Sequence, residues 1–311
     1  MVLIIGGAGF IGSRLKSYFA SLNLPFKYTS SKKEDDPSNN YFQLDITQLK
    51  ELDKSHLRDI FKGVDTIIYL PSLNVQESLV NKALAKKIKI EGAKFCLEQS
   101  IIYGATRFIN LSTCHVYGSS LDGDYDEDST LNPSSYYAEN HAIAESELVE
   151  LSKNESIQLN SLRLSNGVGC PINRNADCWM LLVNDLCRKV VTTGQIHLNS
   201  PPNVLRDFIP FSLVEEVIFS LAHGDIDLGE EIMNITSAKS IEIKEIAEII
   251  KINSEKTLGR HSKVYFQSAP DISQNRFRIS NQLLKEKFIN LDFCLDKEIN
   301  NLLKKCNEWF S

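Results

Sequence analysis

The stretch that decides the fold is Val2-Leu3-Ile4-Ile5-Gly6-Gly7-Ala8-Gly9-Phe10-Ile11-Gly12. Its first four residues are apolar and typical of a buried strand, and a helical pattern runs over residues 11–22. Glycines at 6, 9 and 12 allow a tight turn, let the backbone approach a pyrophosphate, and pack the helix against the strand. The helix amino terminus adds N–H donors and a partial positive charge. A strand, glycine turn and helix in this order predict a dinucleotide-binding site.

Short β-rich runs alternate with helical patterns through the first half of the chain. The predicted strands are residues 2–5, 25–28, 66–70, 107–111 and 156–164. The predicted helices between them are residues 11–22, 48–62, 79–100 and 137–152. This alternation implies right-handed βαβ units, and therefore a doubly wound α/β (Rossmann) fold whose parallel sheet carries helices on both faces.

The alternation loosens from about residue 166, where Gly, Pro and Cys cluster over residues 167–171. We therefore expect residues 1–165 to form a dinucleotide-binding Rossmann domain, to which the chain returns near residues 204–236. Residues 166–311 are expected to form mainly a smaller, substrate-binding domain at the open end of the sheet.

Composition argues against several classes of protein. The net charge is −6, so the chain lacks the electrostatic footprint of a nucleic-acid-binding protein. No run approaches the roughly 20 apolar residues that span a bilayer. Seven cysteines without a CxxC pair favour a reducing compartment over a disulfide framework or a zinc ribbon. We expect a cytoplasmic protein without a metal, a membrane partner or a nucleic-acid partner.

The glycine segment from Gly6 to Gly12 closely resembles the cofactor loop of the extended short-chain dehydrogenases/reductases, which include nucleotide-sugar epimerases, dehydratases and reductases. The resemblance covers most of the chain. It implies an NAD or NADP cofactor, a nucleotide-diphosphate sugar as substrate, and a homodimer. The cofactor residues that it implies are Gly6, Gly9, Phe10, Ile11, Gly12, Asp45, Ile46, Leu70, Tyr137 and His141.

The end of the second predicted strand bears on the choice between NAD and NADP. An NAD site usually carries an acid there, which accepts a hydrogen bond from the ribose 2′-hydroxyl. Residues 29–33 instead supply hydroxyls and cations, among them Ser30 and Lys32, which suit a 2′-phosphate better. The loop therefore favours NADP, while a solvated surface role for Lys32 and Lys33 stays open.

Two segments carry the expected proton chemistry. Residues 111–118 resemble the family's SSxxVYG segment, in which Thr113 would hydrogen-bond the reacting sugar oxygen. The segment after Tyr136 resembles the YxxxK helix, with Tyr137 as the catalytic tyrosine and His141 at the lysine position. A tyrosine can take and return a carbinol proton if a nearby cation lowers its pKa from about 10. Histidine in place of lysine is therefore expected to alter the rate and the pH optimum.

The substrate side of the resemblance rests on two polar residues. Asn166 lies in a segment like RxxNxYG, and Arg206 begins a segment that matches RDFI. Guanidinium pairs bidentately with phosphate oxygens, and the alternative for Arg206 is an ion pair with an acid of the protein. Lys89 stands where the family usually has asparagine. Cys114-His115 stands where dehydratases carry Asp-Glu, which disfavours dehydration.

Three functions remain open at this point. The leading one is a nucleotide-sugar epimerase that oxidises and re-reduces a sugar carbinol, with C4 favoured. An NADPH-dependent nucleotide-4-keto-sugar reductase is the first alternative, because no acid follows the second strand. A non-catalytic dinucleotide-binding protein is the second, because the lysine is missing. The pathway that the resemblance suggests is polysaccharide precursor synthesis.

Overall fold

The computed structural model describes residues 1–34, 40–49, 52–119, 121–198, 200–224, 226–229, 232–266 and 276–311. Its strands are β1 Val2–Ile5, β2 Phe26–Ser30, β3 Tyr41–Gln43, β4 Thr66–Tyr69, β5 Arg107–Thr113, β6 Gly123–Tyr125, β7 Gln158–Leu164, β8 Asn166–Val168, β9 Gln195–Leu198, β10 Leu205–Pro210, β11 Ile232–Ile235, β12 Ser240–Glu242, β13 Lys263–Phe266 and β14 Phe277–Ile279.

The helices are α1 Phe10–Ser21, α2 Lys54–Phe61, α3 Val75–Val80, α4 Lys82–Lys86, α5 Gly92–Ile102, α6 Tyr136–Ser152, α7 Leu182–Thr193, α8 Phe211–His223, α9 Ile243–Leu258, α10 Gln282–Lys287 and α11 Asp296–Phe310. A π-helix, Lys87–Glu91, lies between α4 and α5, and a 3₁₀ turn, Cys114–Tyr117, follows β5.

The main sheet has seven strands in the order β11-β7-β5-β4-β1-β2-β3. Pairing from β3 through to β7 is parallel. Strands β1, β4 and β5 are buried along their whole length, as their apolar runs predict for a parallel sheet covered on both faces. The doubly wound α/β fold is confirmed. Because the strands are parallel, their carboxyl ends meet at one edge of the sheet, where such folds bind ligands.

Helices α2 and α5 cover part of the sheet with apolar side chains. Ile60 and Phe61 of α2, together with Leu97 of α5, pack against Ile67 and Phe108 of the central strands. Each of these five side chains is at most 1% exposed. Burying a side chain of this size stabilises the fold by roughly 1.5–3 kcal/mol.

Some predicted elements differ from the structure. The single helix expected over residues 79–100 is interrupted, because the Asn81 side chain accepts a hydrogen bond from Leu84 N at 3.1 Å and starts a new helix there. The long helices α8 and α11 were not predicted.

The chain divides into two compact units. The first comprises Met1–Ser119, Ser129–Leu164 and Val217–Met233, and the second comprises Ser120–Asp128, Ser165–Glu216 and Asn234–Ser311. Among the described residues, no helix is long and apolar enough to cross a membrane. The same residues contain no group of three His, Cys, Asp or Glu side chains arranged to bind a metal ion.

Candidate active site

The glycine turn between β1 and α1 has a backbone that larger residues would not fit. Gly6 has a φ of +81°, in the region that favours glycine. A Cβ atom on Gly12 would lie 2.4 Å from the Gly6 carbonyl oxygen. Gly7 N donates to Thr29 O at 2.8 Å, which ties the turn to the end of β2. The glycines therefore hold the first turn of α1 close against β1.

The amino terminus of α1 suits a pyrophosphate. Its N-cap is Gly9, and within the described residues no side chain caps it and no acid lies in the first turn. Gly9 is exposed, whereas Phe10 and Ile11 are half-buried. The first N–H groups of a helix have no intrahelical acceptor, so they can donate to phosphate oxygens here.

An acid that sequence reasoning missed folds back towards β2. Ser30 is buried and its Oγ accepts from Lys32 N at 3.2 Å, while the Lys32 side chain is exposed. Glu34 folds back and accepts from the Tyr28 hydroxyl at 3.0 Å. Lys16 Nζ lies 3.8 Å from the Glu34 carboxylate and 3.5 Å from the centre of the Tyr28 ring. A carboxylate and an ammonium thus both lie near the position that distinguishes NAD from NADP.

Three further predicted cofactor residues also follow strands of this sheet. Asp45 comes just after β3, and its carboxylate accepts from Thr47 N at 2.9 Å and Thr47 Oγ1 at 2.7 Å. Ile46 is buried, and Leu70 is half-buried just after β4. The first unit therefore contains all the predicted cofactor residues. The carboxylate of Asp45 is already engaged in a local turn.

The end of β5 and the start of α6 bring Thr113 and Tyr137 together. Ser135 begins α6 by accepting from Ala138 N at 3.2 Å, and Tyr137 lies in the first turn. Burial raises the pKa of Tyr137, a hydrogen bond to the Thr113 side chain lowers it, and Cys114 raises it. The Tyr137 ring packs on the His141 ring with centroids 4.5 Å apart.

His141 is buried and neutral. Its side chain is 3% exposed, and Nε2 lies 3.2 Å from Ser72 Oγ. Because the Ser72 hydroxyl donates to Leu73 O at 3.0 Å, its oxygen accepts from Nε2–H, which leaves Nδ1 as the unprotonated nitrogen. Nδ1 has no hydrogen-bond partner among the described residues. Burial, Lys89 and His115 hold the pKa of His141 well below its usual 6.5.

A buried charge network fixes helix α6, and sequence reasoning did not identify it. Arg163 Nη2 donates to Glu145 Oε2 at 2.7 Å, and Arg163 Nη1 donates to the Tyr117 hydroxyl at 2.9 Å. The Ser112 hydroxyl also donates to Glu145. The network joins β5, α6 and β7, so it sets the position of the helix that carries Tyr137. Cys114 Sγ contacts Arg163 O at 3.2 Å and is buried, as expected for a small structural residue.

Both predicted substrate residues lie in the second unit. Asn166 Nδ2 donates to Asp207 O at 2.8 Å, across the pair of β8 and β10. Arg206 Nη1 donates to Leu205 O at 2.8 Å, and the side chain is half-buried. Within the described residues, no carboxylate lies within ion-pair distance of the Arg206 guanidinium.

A parallel α/β sheet with a glycine turn after its first strand defines a Rossmann-type protein. The family model described as "NAD dependent epimerase/dehydratase family" matches residues 2–235, and the chain belongs to this family. A putative UDP-glucose 4-epimerase of Methanocaldococcus jannaschii is 25% identical over 258 residues, which cover 81% of each chain. A dTDP-D-glucose 4,6-dehydratase of Mus musculus is 29% identical, over 46% of this chain and 44% of its own. The crystal structure of the Brucella ovis UDP-glucose 4-epimerase with NAD superposes with a TM-score of 0.82 at 19% identity, covering 98% of both chains.

Proposed function

We propose that this protein is an NAD(P)-dependent epimerase that oxidises and re-reduces a carbinol, with C4 favoured, of a nucleotide-diphosphate sugar. The observation that carries the proposal is the closeness of Thr113 to Tyr137, whose pKa the Thr113 side chain lowers, at the carboxyl edge of the sheet that also bears the glycine turn. Family membership supports it, and so does the M. jannaschii relative, which matches most of this chain.

Each group of the proposed site has a distinct task. An NAD(P) cofactor held by these residues would supply the acceptor and donor of hydride for the sugar carbon. The N–H groups at the start of α1 bind the pyrophosphate, and His141 Nδ1 accepts from a ribose hydroxyl. Thr113 holds the sugar oxygen beside Tyr137. Tyr137 takes the carbinol proton on oxidation and returns it on reduction.

Substrate binding is assigned mainly to residues 166–311, and cofactor binding to residues 1–165 with the returning segments near 204–236. Arg206 would bind the diphosphate, since the described residues leave its outer N–H groups free of an acid, and Asn166 would hydrogen-bond the sugar or the diphosphate. We further propose a cytoplasmic homodimer, on the resemblance alone.

The second candidate is an NADPH-dependent reductase of a nucleotide-4-keto sugar. It is favoured by the exposed Lys32 and Lys33 side chains after β2 and by Lys16, which could bind a 2′-phosphate. Glu34 weakens this candidate, because its carboxylate would repel that phosphate and could accept from a 2′-hydroxyl instead.

The first experiment identifies any nucleotide that the purified protein releases on denaturation. Stoichiometric NAD supports an epimerase that recycles its cofactor in place, whereas an empty site that binds NADPH much more tightly than NADH supports the reductase.

The second experiment compares Tyr137→Phe with Tyr136→Phe on UDP-glucose and UDP-galactose. Loss of the Tyr137 hydroxyl should lower kcat by about 10²–10⁴-fold without weakening NAD binding. Tyr136 is a matched control, because its ring is 39% exposed and packs on Lys82. A protein that binds NAD but turns over no sugar in either variant or the wild type would support the non-catalytic alternative.

A further inference from the structure

The π-helix carries a lysine that the proposed mechanism does not use. Lys89 is 1% exposed, and its Nζ donates to Asn110 Oδ1 at 2.9 Å and to Leu111 O at 2.7 Å. Both acceptors belong to β5, within three residues of Thr113. A π-turn shifts the side chains of a helix relative to regular α geometry and is frequent at functional sites. Here it places an amine inside the sheet–helix interface, beneath α6.

The charge of this amine is not paired with a carboxylate. Burying an ammonium is costly unless a partner compensates it. The nearby Glu145 carboxylate already accepts from Arg163 and Ser112, whereas both acceptors of Lys89 are neutral. Among the described residues, the third N–H of Lys89 has no acceptor. Burial lowers the pKa of Lys89 to about 7, and Glu145 opposes this shift.

The groups that face His141 decide which side chain carries the proton. Lys89 approaches it from the π-helix, His115 from the turn after β5, Ser72 from the loop after β4, and Tyr137 from its own helix. The groups that face Lys89 are Glu145 and His141 of α6 and the Tyr69 ring of β4, whose centre lies 5.6 Å away. A charge on Lys89 opposes a charge on His141, so Lys89 takes up its extra proton before His141 does as the pH falls.

We propose that Lys89 is a positioning residue that carries the positive charge of this active site and acts on the His141 ring, which packs on Tyr137. The cation that a YxxxK helix would present at position 141 is supplied here from the π-helix. The charge of Lys89 opposes protonation of His141, which preserves Nδ1 as an acceptor. The use of Nδ1 by a ribose hydroxyl rests on the proposed function, whereas the effect of Lys89 on His141 does not.

The first test needs no catalytic activity. The apparent pKa of His141 is followed by NMR of its ring protons, with the signal assigned from its loss in His141→Gln. In Lys89→Met it should rise by about one unit or more, because the opposing charge is gone. Lys87→Met is the control, since Lys87 is exposed on the same π-helix. An unchanged value in Lys89→Met would overturn the proposal.

The second test transfers the cation from position 89 to position 141. It applies even if Lys89→Met does not fold. His141→Lys alone places two ammonium groups in one buried site, so Tm should fall. Adding Lys89→Asn leaves one cation, so the double variant should recover both Tm and turnover, with a shifted pH optimum. A double variant no more stable than His141→Lys would refute the inference. If the NMR and Tm results are as expected and no sugar is turned over, the proposed function fails while the assignment of charge stands.

Discussion

Glu145 and His141 lie one turn apart on the same face of helix α6, and they differ in how many hydrogen-bond partners their side chains have. Glu145 accepts from Nε of Arg163 at 3.1 and 3.2 Å, from its Nη2 at 2.7 Å, and from the Ser112 hydroxyl. Both side chains of this ion pair are 3% exposed. His141 is as deeply buried, yet its Nδ1 has no partner within the described part of the chain. The carboxylate in one turn of the helix has hydrogen-bond donors on its oxygens, whereas the imidazole in the neighbouring turn has a nitrogen without a partner.

The difference separates a structural role from a binding role. A closed network of charged hydrogen bonds fixes the helix against β5 and β7 and offers nothing to a ligand. A buried polar atom without a partner costs the folded protein about 1–3 kcal/mol, which a ligand that donates a hydrogen bond to it can recover. We therefore expect changes near Glu145 to lower stability, and changes near His141 to alter titration and ligand binding.

The largest effect is expected from Arg163→Met. This change leaves the Glu145 carboxylate buried without its counter-ion, so the free energy of unfolding should fall by about 3–5 kcal/mol. Urea denaturation followed by circular dichroism measures it.

Glu147→Gln is the matched control, on the same helix. Glu147 pairs with Lys94 at 2.6 Å, and both side chains are 39% exposed. Removing this pair should cost less than about 1 kcal/mol. Equal losses in the two variants would mean that burial does not distinguish the pairs.

The parts of this comparison that sequence could predict are the local ones. The apolar run of β1 and the glycines at 6, 9 and 12 predict the parallel fold and the turn, because strand period and glycine geometry are properties of adjacent residues. The expectation that Tyr137 and His141 share a helical face follows from a spacing of four residues.

Contacts between distant segments were not predictable in this way. Glu145 and Arg163 are 18 residues apart, and nothing in either residue indicates the other. Lys89 was noted only as a departure from the family pattern, since a π-turn leaves no periodic signal that would place its side chain inside. Glu34 was missed because it lies four residues beyond the end of β2 and reaches Tyr28 only by folding back.

A smaller effect is expected from pH. The folded pKa of His141 lies well below 6.5, so the unfolded chain takes up a proton that the folded protein does not. Stability present above about pH 6.5 is therefore lost as the pH falls, by at most about 1.4 kcal/mol per pH unit from this group. The corresponding loss from Lys89, whose folded pKa is about 7, occurs as the pH falls from 10.5 towards 7, so Lys89 adds to the slope only near pH 7.

Urea denaturation between pH 5 and pH 7 checks this expectation. His141→Gln should reduce the slope by nearly one bound proton, whereas His261→Gln should not, because the His261 side chain is 89% exposed. A slope that survives in His141→Gln would place the titrating group elsewhere.

The smallest effect on stability is expected from Ser72→Ala. This change removes the acceptor of His141 Nε2–H and should cost about 0.5–1.5 kcal/mol. Its more informative consequence concerns the tautomer: without Ser72, the proton is no longer held on Nε2, so the ¹⁵N shifts of the ring should move towards a mixture of the two neutral forms. NADH affinity should also fall, because a proton on Nδ1 removes the acceptor for the ribose hydroxyl.

The control is Ser21→Ala, which removes an exposed hydroxyl bonded to Tyr18 O and should change neither the ring shifts nor the NADH affinity. Unchanged ring shifts in Ser72→Ala would show that a group other than Ser72 sets the tautomer of His141.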